Sequence, residues 1–232
     1  PSRRTNVTHI IRETFRVSGT ERAVSVAGMA DPYDYQKNMA LKRWKNRLEF
    51  SLIRSTLGSG ASGAAQTMKG IEATVTSHYT ARLSGTSLSE TELNSMVYDV
   101  AVDVGADEVF DLILTTLQLR QKISTFTAGS TRYVDAEDKK LTRPVMVYES
   151  DFGVHRIFGH KDVSVSAATP GPVILGLKEN KWKIAYLTGR RPKYTPLGID
   201  GDRENGMIIG EATLEFLAER ANARRSGYAY TG

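Results

Sequence analysis

Apolar and polar positions alternate through residues 6–17. Val7, Ile11, Phe15 and Val17 fall on one face of an extended chain, and Thr8, Arg12, Thr14 and Arg16 on the other. That period of two predicts a long strand. Ser18 and Gly19 interrupt it, and a second extended piece with Val24 and Val26 runs up to Gly28. Neither piece carries enough large apolar side chains to make a core of its own, so residues 1–30 read as an arm.

The period then changes. Asp31 followed by Pro32, with Asp34 in the first turn, is a helix start: an acidic N-cap, a proline where no N–H is needed, and a carboxylate at the positive end of the dipole. Leu41, Trp44, Leu48 and Leu52 recur at spacings of three and four and predict one apolar stripe on a helix over 31–57, with Lys37, Lys42, Arg43, Lys45 and Arg47 mostly solvated. At 1.5 Å per residue such a helix is roughly 40 Å long, enough to act as the spine of a domain. Glycine, serine and alanine over 58–63 end it in a flexible loop. Residues 64–87 show no decisive period.

Ser89 with Glu92 forms a capping box ahead of Leu93, Met96, Val97, Val100 and Ala101, a second helix that stops at Gly105. An apolar run over 109–115 predicts a buried strand, and 116–126 a helix. Strands follow at 145–149, 154–158 and 173–177, separated by Asp151, Gly153, Gly159 and the turn Pro170-Gly171-Pro172. After Trp182 and Tyr186, prolines, glycines and aspartates over 190–206 read as a loop. Ile208, Ala212, Leu214, Phe216 and Ala218 alternate with polar residues as a half-buried strand would, yet Leu214, Leu217, Ala218 and Ala221 fit a helix nearly as well, so periodicity leaves both open.

Composition narrows the function more than the fold. The 232 residues are 40% hydrophobic and 25% charged, as in ordinary folded chains. There is no cysteine, which removes disulfides, thiolate metal sites and cysteine nucleophiles together. His9, His78, His155 and His160 have no metal-site spacing, and no cofactor is expected. No apolar run approaches the roughly 20 residues that span a bilayer. The net charge of +5 is compatible with nearby nucleic acid but is not a dense basic stripe.

Three motifs fail on context. Gly58, Gly60 and Gly63 match the dinucleotide pattern but close a helix, whereas phosphate binding needs them to follow a strand and open one. Asp151-Phe152-Gly153 copies a kinase triplet without its companions and reads as a turn. Asp200, Asp202, Glu204 and Glu211 occupy calcium-loop positions, but Asn205 replaces the required glycine. No catalytic arrangement is indicated.

Several segments, in order and spacing over almost the whole chain, resemble the major capsid (major head) proteins of tailed bacteriophages, whose fold is shared with the herpesvirus shell. They are Thr5-Asn6-Val7-Thr8-His9-Ile10, Val17-Ser18-Gly19-Thr20 with Ala23-Val24, Tyr35-Gln36, Ala40-Leu41-Lys42, and Asp138-Lys139-Lys140-Leu141. Further on come Tyr148-Glu149-Ser150-Asp151-Phe152-Gly153, Trp182-Lys183-Ile184-Ala185-Tyr186-Leu187 and Gly210-Glu211-Ala212-Thr213-Leu214-Glu215.

The resemblance implies an α+β fold. Residues 1–30 would be the returning strand of an extended β-hairpin loop, 31–87 a peripheral domain with its spine helix, 88–188 a mixed α/β axial domain, and 189–232 a return to the peripheral domain, as a strand. An N-terminal arm and the outgoing loop strand would precede Pro1, and residues 6–17 would otherwise lack a hairpin partner. The expected core is Leu41, Trp44, Leu48, Leu52, Leu214 and Phe216. Arg12, Phe15 and Arg16 are expected to lie against a neighbouring subunit. The implied function is self-assembly, without catalysis, of hexamers and pentamers into an icosahedral head around double-stranded DNA, with scaffold, portal or decoration proteins as further partners. Assembly would take place in the host cytoplasm and the product would be the virion. The alternative is an oligomeric nucleic-acid-binding protein.

Overall fold

The structure is a computed structural model that describes residues 5–24, 31–63, 65–124, 126, 131–132, 146–163 and 171–229. Val26, Gly28, Pro170 and the run Asp138-Lys139-Lys140-Leu141 lie outside the described residues. In chain order the elements begin β1 (His9–Ser18), α1 (Gly19–Ala23), α2 (Pro32–Arg54), β2 (Gly58–Ser59), β3 (Gln66–Thr67), α3 (Ile71–Thr74), β4 (Tyr79–Thr86), α4 (Glu90–Val104) and β5 (Leu112–Thr115). They continue α5 (Leu117–Ile123), β6 (Thr131–Arg132), β7 (Met146–Ser150), β8 (Gly153–Gly159), β9 (Val173–Leu177), β10 (Trp182–Tyr186), β11 (Lys193–Pro196), β12 (Arg203–Phe216) and β13 (Ala223–Tyr228).

The chain divides into two compact units, Pro1–Gly70 with Ile184–Glu215, and Ile71–Lys183 with Phe216–Gly232. These bounds shift the expected ones. Residues 71–87 and 216–232 fall in the second unit, because β4 pairs in parallel with β13 and β13 pairs antiparallel with β9.

In the first unit β12 is the central strand. β1 pairs along its whole length, from His9 opposite Ala212 to Ser18 opposite Arg203, and β11 and β10 also pair with it. Backbone donors and acceptors satisfied from several strands decide for the strand over the helix in this segment. The expected loop over 190–206 therefore contains a short strand, with Pro196 at its end opposite Gly206, where a missing N–H is tolerated. The interruption after residue 18 is a short helix, α1, capped by the Ser18 side chain accepting from the Glu21 N–H, and of the expected second extended piece only Val24, with extended backbone, lies within the described residues.

Helix α2 begins as expected: the Asp31 carboxylate accepts from the Tyr33 N–H at 2.9 Å and Pro32 takes the first turn. It ends at Arg54, short of 57, because Ser55 turns extended and its carbonyl accepts from the Gly70 N–H at 2.8 Å. Its buried face is Ala40, Trp44, Leu48, Ser51 and Ile53. Leu41 and Leu52 are only half-buried; with Ile184, Tyr186 and Pro192 they line an apolar groove of about 450 Å³ beside that face.

The second unit holds, among the described residues, a seven-stranded sheet in the order β4-β13-β9-β5-β8-β7-β6. α4, capped by Ser89 accepting from the Glu92 N–H, contributes Leu93, Met96, Val97 and Val100 to a core with Phe110, Ile113, Leu119, Ile123 and Ile157. Phe216 is half-buried, its ring 5.8 Å from Trp182.

Gly227 fixes the β4–β13 join. Its φ is +93°, and a Cβ there would sit 2.2 Å from the Arg82 carbonyl oxygen. Gly227→Ala is expected to cost about 1–3 kcal/mol from the left-handed backbone alone, with the clash in addition. Chemical denaturation reads this as a lowered midpoint, and an unchanged midpoint would show that β4 can move away without loss.

Candidate interaction surface

The β1–β12 ladder in the first unit has two faces with different chemistry. On one, Ile11, Phe15 and Val17 stand over Gly206, Ile208, Gly210 and Ala212. Helix α2 packs here. The Trp44 ring rests where a Cβ on Gly210 would be, 2.7 Å away, and Trp44 Nε1 donates to the Ile11 carbonyl at 3.0 Å.

Phe15 belongs to this inner face. It is 6% exposed, meets Tyr33 edge-on at 5.3 Å and stacks on Tyr194 at 6.3 Å. Its ring uses the space that Gly206 leaves empty, since a Cβ there would lie 2.4 Å from it. The expectation that Phe15 reaches a neighbouring subunit is thus corrected: in a strand packed on one face, the same alternation that exposes Arg12 and Arg16 buries Phe15. One edge of β1 is taken by β12 of the same chain.

The other face carries Ile10, Arg12, Thr14 and Arg16, all exposed. Around it the charges are matched unevenly. Glu13 binds Arg47 at 2.7 Å and Arg43 at 3.7 Å. Arg190 meets the buried Glu211 at 2.7 Å, and Thr8 Oγ1 donates to the same carboxylate at 2.5 Å. Arg22 binds Glu204 at 2.5 Å and lies over the Tyr33 ring. The Tyr33 and Tyr194 hydroxyls are 2.6 Å apart, and burial, with that hydrogen bond, pushes the Tyr33 phenol up to about 12.

Among the expected core residues, Trp44, Leu48 and Leu214 are buried. The acidic calcium pattern is spread out: Glu204 and Glu211 lie on one strand seven residues apart, roughly 23 Å at the strand rise. Asp151 and Phe152 form the turn between β7 and β8. Gly58 leaves α2 and enters the β2–β3 hairpin.

Polar centres without a sequence signature occupy the second unit. Asn222, fully buried, accepts at Oδ1 from the Lys178 N–H (2.9 Å) and Trp182 Nε1 (2.8 Å), and donates from Nδ2 to the Ala218 (2.7 Å) and Glu219 (3.2 Å) carbonyls. The Glu219 carboxylate accepts from the Thr76 and Ser77 N–H groups at 2.5 and 2.6 Å. Arg225, buried in β13, reaches Asp99 and Thr80. Each of these residues looks in the sequence like an ordinary surface residue.

His155 is 1% exposed. Its Nδ1 meets the Phe110 carbonyl at 2.8 Å and its Nε2 meets Ser150 Oγ at 2.8 Å. A backbone carbonyl thus stands where a hydrolytic triad would place its acid. Burial, the largest influence, holds the imidazole below its usual 6.5. The unfolded chain therefore takes up the proton first, so this residue's contribution to stability is complete above pH 6.5 and declines as pH falls below it. Melting temperature should drop between pH 7.5 and pH 5, and drop less in His155→Asn. An equal drop in both would assign the effect elsewhere.

The family model described as SU10 major capsid protein matches residues 1–229. None of the curated protein sequences compared matches the chain. Among solved structures, the holo-SrpI encapsulin complex of Synechococcus elongatus PCC 7942 gives a TM-score of 0.62 at 12% identity, over 98% of this chain and 75% of that one. The capsid of cyanophage A-1(L) gives 0.60 at 13% identity, over 95% and 77%. The capsid of the empty GTA particle gives 0.58 at 12% identity, over 95% and 74%. These likenesses show the capsid fold. Matched over nearly its full length, the chain belongs to the SU10 major capsid protein family, the structural, shell-forming proteins of tailed-phage virions.

Proposed function

We propose that the subunit assembles as hexamers and pentamers into an icosahedral head that encloses double-stranded DNA, and that it catalyses no reaction. The family match over residues 1–229 is the observation that carries this reading. Closed rings of repeated heterologous contacts need no active site, and the buried His155 has a backbone carbonyl, not a carboxylate, on its Nδ1. The first unit would be the peripheral domain and the second the axial domain. A net charge of +5 gives weak, sequence-independent tolerance of nucleic acid rather than a specific groove. Scaffold, portal and decoration proteins are further partners of the proposed head, which forms in the host cytoplasm.

Particles built from this chain, recovered from lysed hosts and treated with nuclease, should retain double-stranded DNA. Free subunits should bind DNA only weakly at physiological salt. Tight, strongly salt-dependent binding by free subunits, with no protected DNA in particles, would favour a nucleic-acid-binding protein instead.

A further inference from the structure

A pocket of about 580 Å³ opens at the β1 edge of the first unit, lined among others by His9, Ile10, Arg12, Arg47, Phe50 and Arg190. Its charge does not cancel. Arg47 is held by Glu13 and Arg190 by Glu211, whereas the Arg12 guanidinium makes no ion pair among the described residues. His9 Nδ1 is buried with no hydrogen-bond partner among the described residues. The pocket thus combines one unneutralised cation with apolar walls, and Ile10 beside it is 47% exposed.

The same unit carries the complementary shape and charge at the loop between β11 and β12. Ile199 is 76% exposed, the highest value of any large apolar residue in the described chain, and Leu197 is 40% exposed. Asp200 follows, exposed and without an ion pair among the described residues, on a turn that Gly201 makes with φ +64°. Asp202 pins the turn, its carbonyl accepting from the Gly19 N–H at 2.8 Å. An isoleucine next to a free carboxylate therefore projects from a fixed tip.

These two features cannot meet within one chain. Arg12 lies opposite Ile209, six residues along β12 from Arg203, roughly 20 Å from the tip at the strand rise. We propose that the Ile199–Asp200 tip of one subunit docks into the Arg12 pocket of a second copy, with Asp200 pairing with Arg12 and Ile199 resting on Ile10 and Phe50. The contact rests on the shell-forming reading. It is heterologous, joining two different patches, so repetition of it generates rings and extended lattices rather than an isolated dimer.

The test is a charge swap in the full chain. Arg12→Glu and Asp200→Arg, each alone, place like charges together and should lower the assembled fraction in sedimentation by about tenfold or more. The double variant should recover assembly, and circular dichroism and melting of the free subunits should be unchanged in all three. Normal shells from either single variant, or a double variant no better than the singles, overturn the contact while leaving the shell function intact. Failure of the parent chain to assemble removes the shell reading and this contact with it.

Discussion

Trp44→Ala is expected to leave little folded subunit. The indole is 2% exposed, fills the space above Gly210, and caps the Ile11 carbonyl on β1, so its removal opens a cavity and strands a buried acceptor in one step. Truncations of this size cost about 3–5 kcal/mol, a large share of a domain's stability. Trp44→Phe separates the two effects. It keeps most of the packing and loses the N–H, so about 1 kcal/mol should go. Chemical denaturation and the yield of sedimenting shells measure both. Trp44→Ala with the parent's midpoint would show that α2 is not held on the sheet by this side chain.

Asn222→Leu is the second large loss expected, and it acts in the other unit. Leucine keeps the branching of asparagine but is bulkier, so crowding adds to the loss at this fully buried position. The Lys178 N–H, Trp182 Nε1 and the Ala218 carbonyl each lose this partner, while the Glu219 carbonyl keeps the residue 222 backbone N–H. At about 1–3 kcal/mol for each group left buried and unpaired, even partial rescue by water leaves several kcal/mol missing. Asn222→Asp keeps the two accepted bonds and should rank between parent and leucine. A leucine variant as stable as the parent would mean that the neighbouring backbone finds other partners.

Legibility in the sequence followed local physics. The start of α2 was readable because Asp31 and Pro32 act within one turn, and α4 because Ser89 and Glu92 do. The alternation in β1 was readable for the same reason, although its meaning for Phe15 was not. Whether an apolar strand residue faces its own helix or a neighbour depends on α2, distant in sequence, and on Gly206, which makes room for the ring. Strands β4 and β13 carry no signal in the sequence because they lack an apolar period: β13 reads Ala223-Arg224-Arg225-Ser226-Gly227-Tyr228, and Arg225 is buried only because Asp99 and Thr80 lie beside it. For β12, periodicity left strand and helix open, and long-range pairing decided between them. Asn222 gave no signal, since a hub of hydrogen bonds to backbone depends on tertiary neighbours alone.

Electron microscopy of the purified full chain under assembly conditions tests the central claim most directly. Closed shells of uniform size, with five-fold vertices joined by six-fold arrays of this subunit, are the predicted result. A monodisperse monomer or small oligomer across salt and protein concentrations, from chain that is folded by circular dichroism, would contradict it.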